Sequence, residues 1–170
     1  APAPPGKPDW LIEGAATALP WRGRGAGGGT GRPGGVVQFF RSARGVVYSS
    51  WSRDHGDTWS TPAPTRLRNP NSKVAAATLP NGVLVVAHNA HTYMKHPTLG
   101  VTRGHLVLST SGDGGATWRE GAATVVRGLR PGHLVHYPTL AVVGCHLHVA
   151  YSQGGRGIRL ATFLWAALPF

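Results

Sequence analysis

The chain is short of the residues that staple small folds and build metal centres. It has one cysteine among 170 residues, Cys145, which excludes an internal disulfide framework and a multi-cysteine zinc site. Carboxylates are scarce as well, with 6 Asp plus Glu against 17 Lys plus Arg and a formal net charge of +11. That imbalance favours anionic partners, carboxylated sugars among them. The arginines are dispersed, however, never closer than the one-residue gap of Arg22 and Arg24 or of Arg66 and Arg68, and no motif interleaves them with aromatics, so nucleic-acid binding is not indicated. No apolar stretch approaches the roughly 20 residues of a membrane helix, and residues 158–170 are interrupted by Arg159. The first ten residues carry neither an initiator Met nor an apolar core; no signal peptide is expected, and the chain reads as a fragment or a processed product. Sustained 3.6-residue apolar spacing is also missing, and 25 Gly with 14 Pro exclude long helices.

What is present is a dispersed apolar content of 41%, enough for a packed core. Residues 1–34 are dominated by Ala, Pro and Gly and are expected to form an irregular N-terminal segment. From residue 35 to 170 the texture changes to short runs rich in Val, Leu and Tyr. Strands are expected at residues 36–40, 45–51, 74–79, 83–88, 105–110, 139–143, 146–152 and 158–163. Turn formers such as Pro80-Asn81-Gly82 and Gly154-Gly155 divide them, and LPNGVLVVAHN reads as a tight hairpin. The fold class is therefore all-β and antiparallel.

One octapeptide occurs twice, as Ser52-Arg53-Asp54-His55-Gly56-Asp57-Thr58-Trp59 and as Ser111-Gly112-Asp113-Gly114-Gly115-Ala116-Thr117-Trp118. Both fit S-x-D-x-G-x-T-W. In such a corner the Asp carboxylate accepts hydrogen bonds from its own turn, Gly supplies a left-handed backbone, and the Ser and Thr hydroxyls tie the two arms. Trp59 and Trp118 are then expected in the core between sheets, while Trp21 and Trp51 stay undecided. A metal site on Asp54 and Asp57 is disfavoured, because Ala116 replaces Asp57 in the second copy.

The two aspartates lie 59 residues apart (113 minus 54), which is room for one four-stranded sheet with long connections. Radial repetition of such sheets makes a β-propeller, and this chain holds about three blades where a closed ring takes roughly four to eight. A partial propeller exposes a face and open edges at each end, so self-association is expected.

Nine histidines raise the question of a metal, chiefly through His88, His91 and His96, through His133 and His136, and through His146 and His148. Each set reads as half-exposed strand or loop histidines, so no metal and no other cofactor is expected. His136 adjoins Tyr137, but strand alternation is expected to send the two rings to opposite faces.

The doubled octapeptide is the Asp-box, or bacterial neuraminidase repeat, and residues 36–163 resemble the C-terminal half of sialidase-like six-bladed propellers. Three stretches carry the resemblance: VVQFFRSARGVVYSSWSRDHGDTWS, RNPNSKVAAATLPNGVLVVAHN and YPTLAVVGCHLHVAYSQGGRGIRLATF. The resemblance implies an exo-α-sialidase type of glycoside hydrolase, with a Tyr nucleophile and an arginine clamp on the carboxylate of a sialic-acid-like sugar. By position it assigns the clamp to Arg41 and Arg103 and the nucleophile to Tyr137. A phenol needs a base partner at neutral pH, which in this family is a Glu. The comparable place here holds Gln38, and the only carboxylates outside the Asp-boxes are Asp9, Glu13 and Glu120. The general acid and the first clamp arginine would lie upstream of residue 1, so efficient hydrolysis by this chain is not expected. The alternative is a non-catalytic Asp-box propeller that binds a glycan or a protein partner. If the site is inherited, Arg41, Arg103 and Tyr137 converge on one mouth, with Asp54 and Asp113 on outer corners.

Overall fold

The computed structural model describes residues 11–20, 34–92, 95–96, 100–101, 103–128 and 134–170. In chain order the strands are β1 (Ile12–Leu19), β2 (Gly35–Arg41), β3 (Val46–Ser52), β4 (Ala63–Arg68), β5 (Ala75–Thr78), β6 (Leu84–Asn89), the two-residue β7 (Lys95–His96) and β8 (Gly100–Val101), β9 (Leu106–Ser111), β10 (Arg119–Val126), β11 (Val135–Val143), β12 (His146–Gln153) and β13 (Gly157–Leu164). They form three antiparallel blades, ordered β1-β2-β3-β4, β5-β6-β9-β10 and β11-β12-β13, with β7 and β8 a small hairpin between β6 and β9. The only helical turn among the described residues is a single 3-10 turn at Trp165–Ala167.

All eight strands expected from apolar runs are present. Three longer ones beside them carry little apolar signal. β4 (APTRLR) and β10 (REGAATVV) are the outer strands of their blades and are largely exposed. β1 falls inside the segment expected to be irregular, and it is a strand nonetheless. Its small Ala, Gly and Thr side chains let it pair with β2 from Ala15↔Phe39 to Leu19↔Gly35 while lying close against β5. There the Thr17 hydroxyl donates to the Thr78 Oγ1 (3.0 Å), which in turn donates to the Ala18 carbonyl (2.6 Å). The rest of the 1–34 segment, with Trp21, lies outside the described residues.

The core is two seams between blades. Val37, Phe39, Val47 and Leu67 of blade 1 pack on Val74, Leu84 and Val86 of blade 2, with Trp51 and Trp118 against them. Ala75, Val85, Ala87 and Leu108 from the other side of blade 2 pack on Leu147 and Val149 of blade 3. Every residue of β6 and β9 is buried, because blade 2 is covered on both faces; this is why LVVAHN and LVLSTS do not alternate. Polar groups caught there are paired. His88 Nδ1 lies 2.7 Å from the Arg68 carbonyl and Nε2 lies 2.8 Å from the Ser109 hydroxyl, which accepts the Gly121 N–H at 3.0 Å. A neutral His88 satisfies all of these contacts, donating from Nδ1 and accepting at Nε2. Arg68 of blade 1 also forks onto Glu120 of blade 2, at 3.2 Å from Nε and 3.2 Å from Nη2.

Both Asp-box corners close in the same way. Ser52 Oγ donates to Asp54 Oδ1 at 2.7 Å and accepts the Gly56 N–H at 2.7 Å, while the Thr58 N–H reaches Oδ1 at 2.9 Å and its hydroxyl reaches Oδ2. In the second corner Ser111 Oγ donates to Asp113 Oδ1 (2.7 Å) and accepts from Gly115 (2.7 Å), and Thr117 supplies its N–H (2.9 Å) and hydroxyl (2.6 Å). Gly56 (φ 110°) and Gly115 (φ 92°) hold backbones that L side chains resist. The two tryptophans then part company. Trp118 meets Phe39 edge to face, centroids 5.6 Å apart, inside the seam between blades 1 and 2. Trp59 was expected in the core and is instead 40% exposed, its Nε1 donating to the Gly56 carbonyl at 2.9 Å. It belongs to neither of the two apolar seams.

Two outcomes follow from this packing. Trp118→Ala is expected to cost about 3 kcal/mol in urea unfolding and Trp59→Ala less than half of that. Trp118→Phe is expected to be milder than Trp118→Ala, since Phe keeps a ring against Phe39, whereas both variants equally remove a buried indole N–H that has no partner among the described residues.

The second outcome concerns pH. Burial depresses the His88 pKa to about 4, against weaker upward pulls from the Arg68 carbonyl and the Glu120 charge. The unfolded chain therefore binds the extra proton first, and stability falls as pH drops from 6.5 through 4. The Asp54 carboxyl is held down to about 2, chiefly by the Thr58 hydroxyl. For Asp113, partial burial pushes upward, and hydrogen bonds from Thr117 and Ser111 outweigh it, again to about 2. Both contribute stability above 3.8 that is lost toward pH 2. Melting temperatures measured across pH 8 to 2 should show two successive declines, the upper one flattened in His88→Gln.

Candidate functional site

Arg41 ends β2, and two elements bring partners to it. A bulge in β1 between Ile12 and Ala15, with Glu13 at φ 52°, sets the Glu13 Oε2 2.8 Å from the Arg41 Nη1. The NPNS loop between β4 and β5 is locked by Asn69, whose side chain donates to the Ser72 carbonyl (2.9 Å) and accepts the Ser72 N–H (2.8 Å). That leaves Asn71 at φ 60°, its Oδ1 accepting the Arg41 Nε–H at 2.7 Å. The Asn71 main-chain carbonyl accepts from the Arg103 Nη2 at 3.2 Å. One asparagine thus spans both arginines.

Arg103 is joined to the third blade through its backbone. The Val135 N–H donates to the Arg103 carbonyl at 2.6 Å, and Arg103 bridges Leu134. Buried Asn89, at the end of β6, donates to the carbonyls of Gly104 and Val135, at 2.9 Å each, and pins the two segments together. Two residues on, Tyr137 sits at φ 54° in a register shift between His136 and Thr139, 41% exposed. This left-handed residue breaks the expected alternation. The His136 and Tyr137 rings are not on opposite faces but lie edge to face, centroids 4.8 Å apart. Desolvation and then the Arg103 charge lower the His136 pKa, so imidazole and guanidinium share one neighbourhood. The Arg103 Nε and the His136 Nδ1 are buried with no partner among the described residues.

Glu13, Asn71 and Tyr137 stand at or just before the start of β1, β5 and β11, the first strand of each blade. Non-glycine residues in the left-handed region are uncommon, and three of the five here belong to this cluster. A cavity of about 240 Å³ adjoins it, lined by Gly14 and Ala15 of β1, by residues 73–76 including Lys73, and by residues 138–140 of β11. The Asp-box corners lie at the far end of the sheets. β3 leaves the Arg41 end at Val46 and reaches Ser52 six residues later, about 20 Å at the usual strand rise.

Sequence reasoning passed over Glu13, because it looked for a carboxylate on β2, where Gln38 stands. Gln38 instead fills the space over Gly14, one residue from Glu13. Asn69, Asn71 and Asn89 all lie in the stretch RNPNSKVAAATLPNGVLVVAHN, whose match was to a motif as a whole; their polar roles were legible only as a cluster of asparagines. Among the described residues no three His, Cys, Asp or Glu side chains gather to hold a metal. His88 and His91 are buried apart, and His133 and the side chain of His96 lie outside the description. No helix among the described residues is long and apolar enough to cross a membrane.

Comparison with known proteins places this geometry. The intramolecular trans-sialidase of Ruminococcus gnavus superposes with TM-score 0.58 at 12% identity, over 93% of this chain and 33% of that one. The NanB sialidase of Streptococcus pneumoniae gives 0.56 at 15%, over 79% and 22%. A mutant of the α-L-arabinofuranosidase of Fusarium graminearum gives 0.54 at 18%, over 87% and 44%. The chain thus spans less than half the length of these structures, and the likeness is one of fold, a set of sialidase-like propeller blades. No curated protein matches by sequence. The profile of the BNR repeat-like domain matches residues 31–149, which is 119 of the 170 positions, and the chain belongs to that family.

Proposed function

We propose that the Glu13, Arg41, Asn71, Arg103 and Tyr137 cluster is the acidic-sugar site of a sialidase-type glycosidase. The observation that carries this reading is the sharing of Asn71 by Arg41 and Arg103, which fixes two guanidinium groups at one end of adjacent blades. Arg41 spends Nε on Asn71 and one N–H of Nη1 on Glu13, and the rest of its planar fork suits a sugar carboxylate. The partnerless Nε of Arg103 offers a second donor. In this reading Glu13 takes the phenolic proton of Tyr137, and the phenolate attacks the anomeric carbon as the glycosidic bond breaks and the leaving oxygen takes a proton from solvent. Water then cleaves the tyrosyl intermediate, its hydroxyl bonding to the anomeric carbon and its proton returning to the Tyr137 oxygen, while Glu13 gives up its proton to solvent.

A second reading, glycan binding without turnover, draws on the disposition of the other carboxylates. Asp54 and Asp113 are bound into corners at the opposite end, and Glu120 is held by Arg68. None of these stands beside the cluster to protonate a leaving group.

Calorimetric titration with N-acetylneuraminic acid and release of fluorophore from a fluorogenic sialoside separate the two. Saturable binding is expected that is at least about 30-fold weaker in Arg103→Met and absent for a neutral hexose. If turnover accompanies binding, Glu13→Gln and Tyr137→Phe should abolish it while keeping the sugar bound. Binding that ignores Arg103→Met overturns both readings.

A further inference from the structure

Half-buried His136 stands inside the cluster and has no part in the reaction described above. The register shift between His136 and Thr139, with φ 54° at Tyr137, brings its ring onto the Tyr137 ring, edge to face at 4.8 Å. The bond from the Val135 N–H to the Arg103 carbonyl, 2.6 Å, keeps the Arg103 segment beside this strand. Burial first, and then the Arg103 charge, hold His136 below the usual imidazole range, so without a bound anion it is neutral at pH 7. Its Nδ1 is buried with no partner among the described residues, so no acceptor there holds a second proton on the ring. The other charges on elements packed against β11 act in the same direction. Lys73 lines the cavity with residues 138–140, and Arg156 lies in the turn after β12, its N–H on the Gln153 carbonyl. Ser152 and Gln153, opposite His136 and Val135, carry no charge. On β6, Asn89 is an amide, and His88 is neutral and turned to Arg68 of blade 1. His105, two residues beyond Arg103, acts on His91, and Glu13 is held by Arg41. The side chains of Lys95, His96 and His133 lie outside the description.

We propose that His136 is the proton-linked member of the acidic-sugar site: as a sugar carboxylate docks on Arg41 and Arg103, His136 takes up one proton from solvent. The inference rests on the acidic-sugar reading. A carboxylate on the guanidinium groups cancels their field at the imidazole and adds an attraction of its own, so the imidazolium becomes the favoured form. Both ring nitrogens are then donors. The complex holds one more proton than its separated parts, so affinity for the acidic sugar rises as pH falls from 8 toward 5. A neutral sugar brings no charge and draws in no proton. In the complex the imidazolium lies against the phenol that ionises for attack, and opposite charges this close favour one another. His136 thereby acts on the reaction through Tyr137, as a positioning residue.

Calorimetric titration of the full chain with N-acetylneuraminic acid, in buffers of differing ionisation enthalpy, counts the protons taken up. NMR follows the His136 ring across the same pH range with and without the sugar. The expected results are uptake of up to about one proton and a titration of His136 displaced upward by about one pH unit, which is at most about a tenfold gain in affinity. In His136→Phe, which keeps a ring against Tyr137 and cannot ionise, the heat should no longer vary with buffer and the gain toward pH 5 should be lost. Heat that is independent of buffer in the unaltered chain, a His136 titration that the sugar does not move, or proton uptake that persists in His136→Phe overturns this inference and leaves the acidic-sugar reading standing. Absence of any binding by the unaltered chain overturns both.

Discussion

Burial of β6 and β9 on both faces requires a sheet on either side of them, and that requirement arranges the rest of the molecule. A lone antiparallel sheet of this size hides one face at most, whereas the middle blade hides both. Blades 1 and 3 are held in place by the apolar area they share with it, through Phe39 and Trp118 on one side and Leu147 and Val149 on the other. The Asp-boxes act on this packing indirectly. Each aspartate is consumed by its own turn, and the product of the corner is the direction of a tryptophan ring.

Stacked blades bring their loops to common ends, and the two ends are used differently. At one end the corners are self-contained. At the other, asparagines tie the loops to one another: Asn69 shapes its turn, Asn71 spans two arginines, and Asn89 pins the Arg103 segment to β11. Amide side chains suit this work because each presents both donors and acceptors without adding charge. The charges that do meet there are compensated in part, Arg41 by Glu13 and Arg103 by a carbonyl, so the cluster keeps donor capacity toward an anion.

The strands with Val, Leu and aromatic runs could be read before any coordinates, because burial demands those side chains at those positions. β1 could not, since Ile-Glu-Gly-Ala-Ala-Thr-Ala-Leu has the composition of a linker and becomes a strand by fitting a narrow space beside β5. Trp59 and Trp118 share a motif and were expected to share an environment. They do not, because a motif specifies the corner and the neighbouring blade specifies the burial. The pairing of His136 with Tyr137 is a similar case: alternation is a rule for regular strands, and the left-handed backbone at Tyr137 suspends it.

The amino-acid order alone settled the all-β class, the turns, both Asp-boxes and the blade count, each set by contacts within a few dozen residues of the chain. It also marked Arg41, Arg103 and Tyr137 as candidates. That Glu13 meets Arg41 across 28 positions, and that Arg103 meets Asn71 across 32, was decided by the stacking of sheets. Those distances in space depend on which faces are buried against which, and no local pattern encodes them.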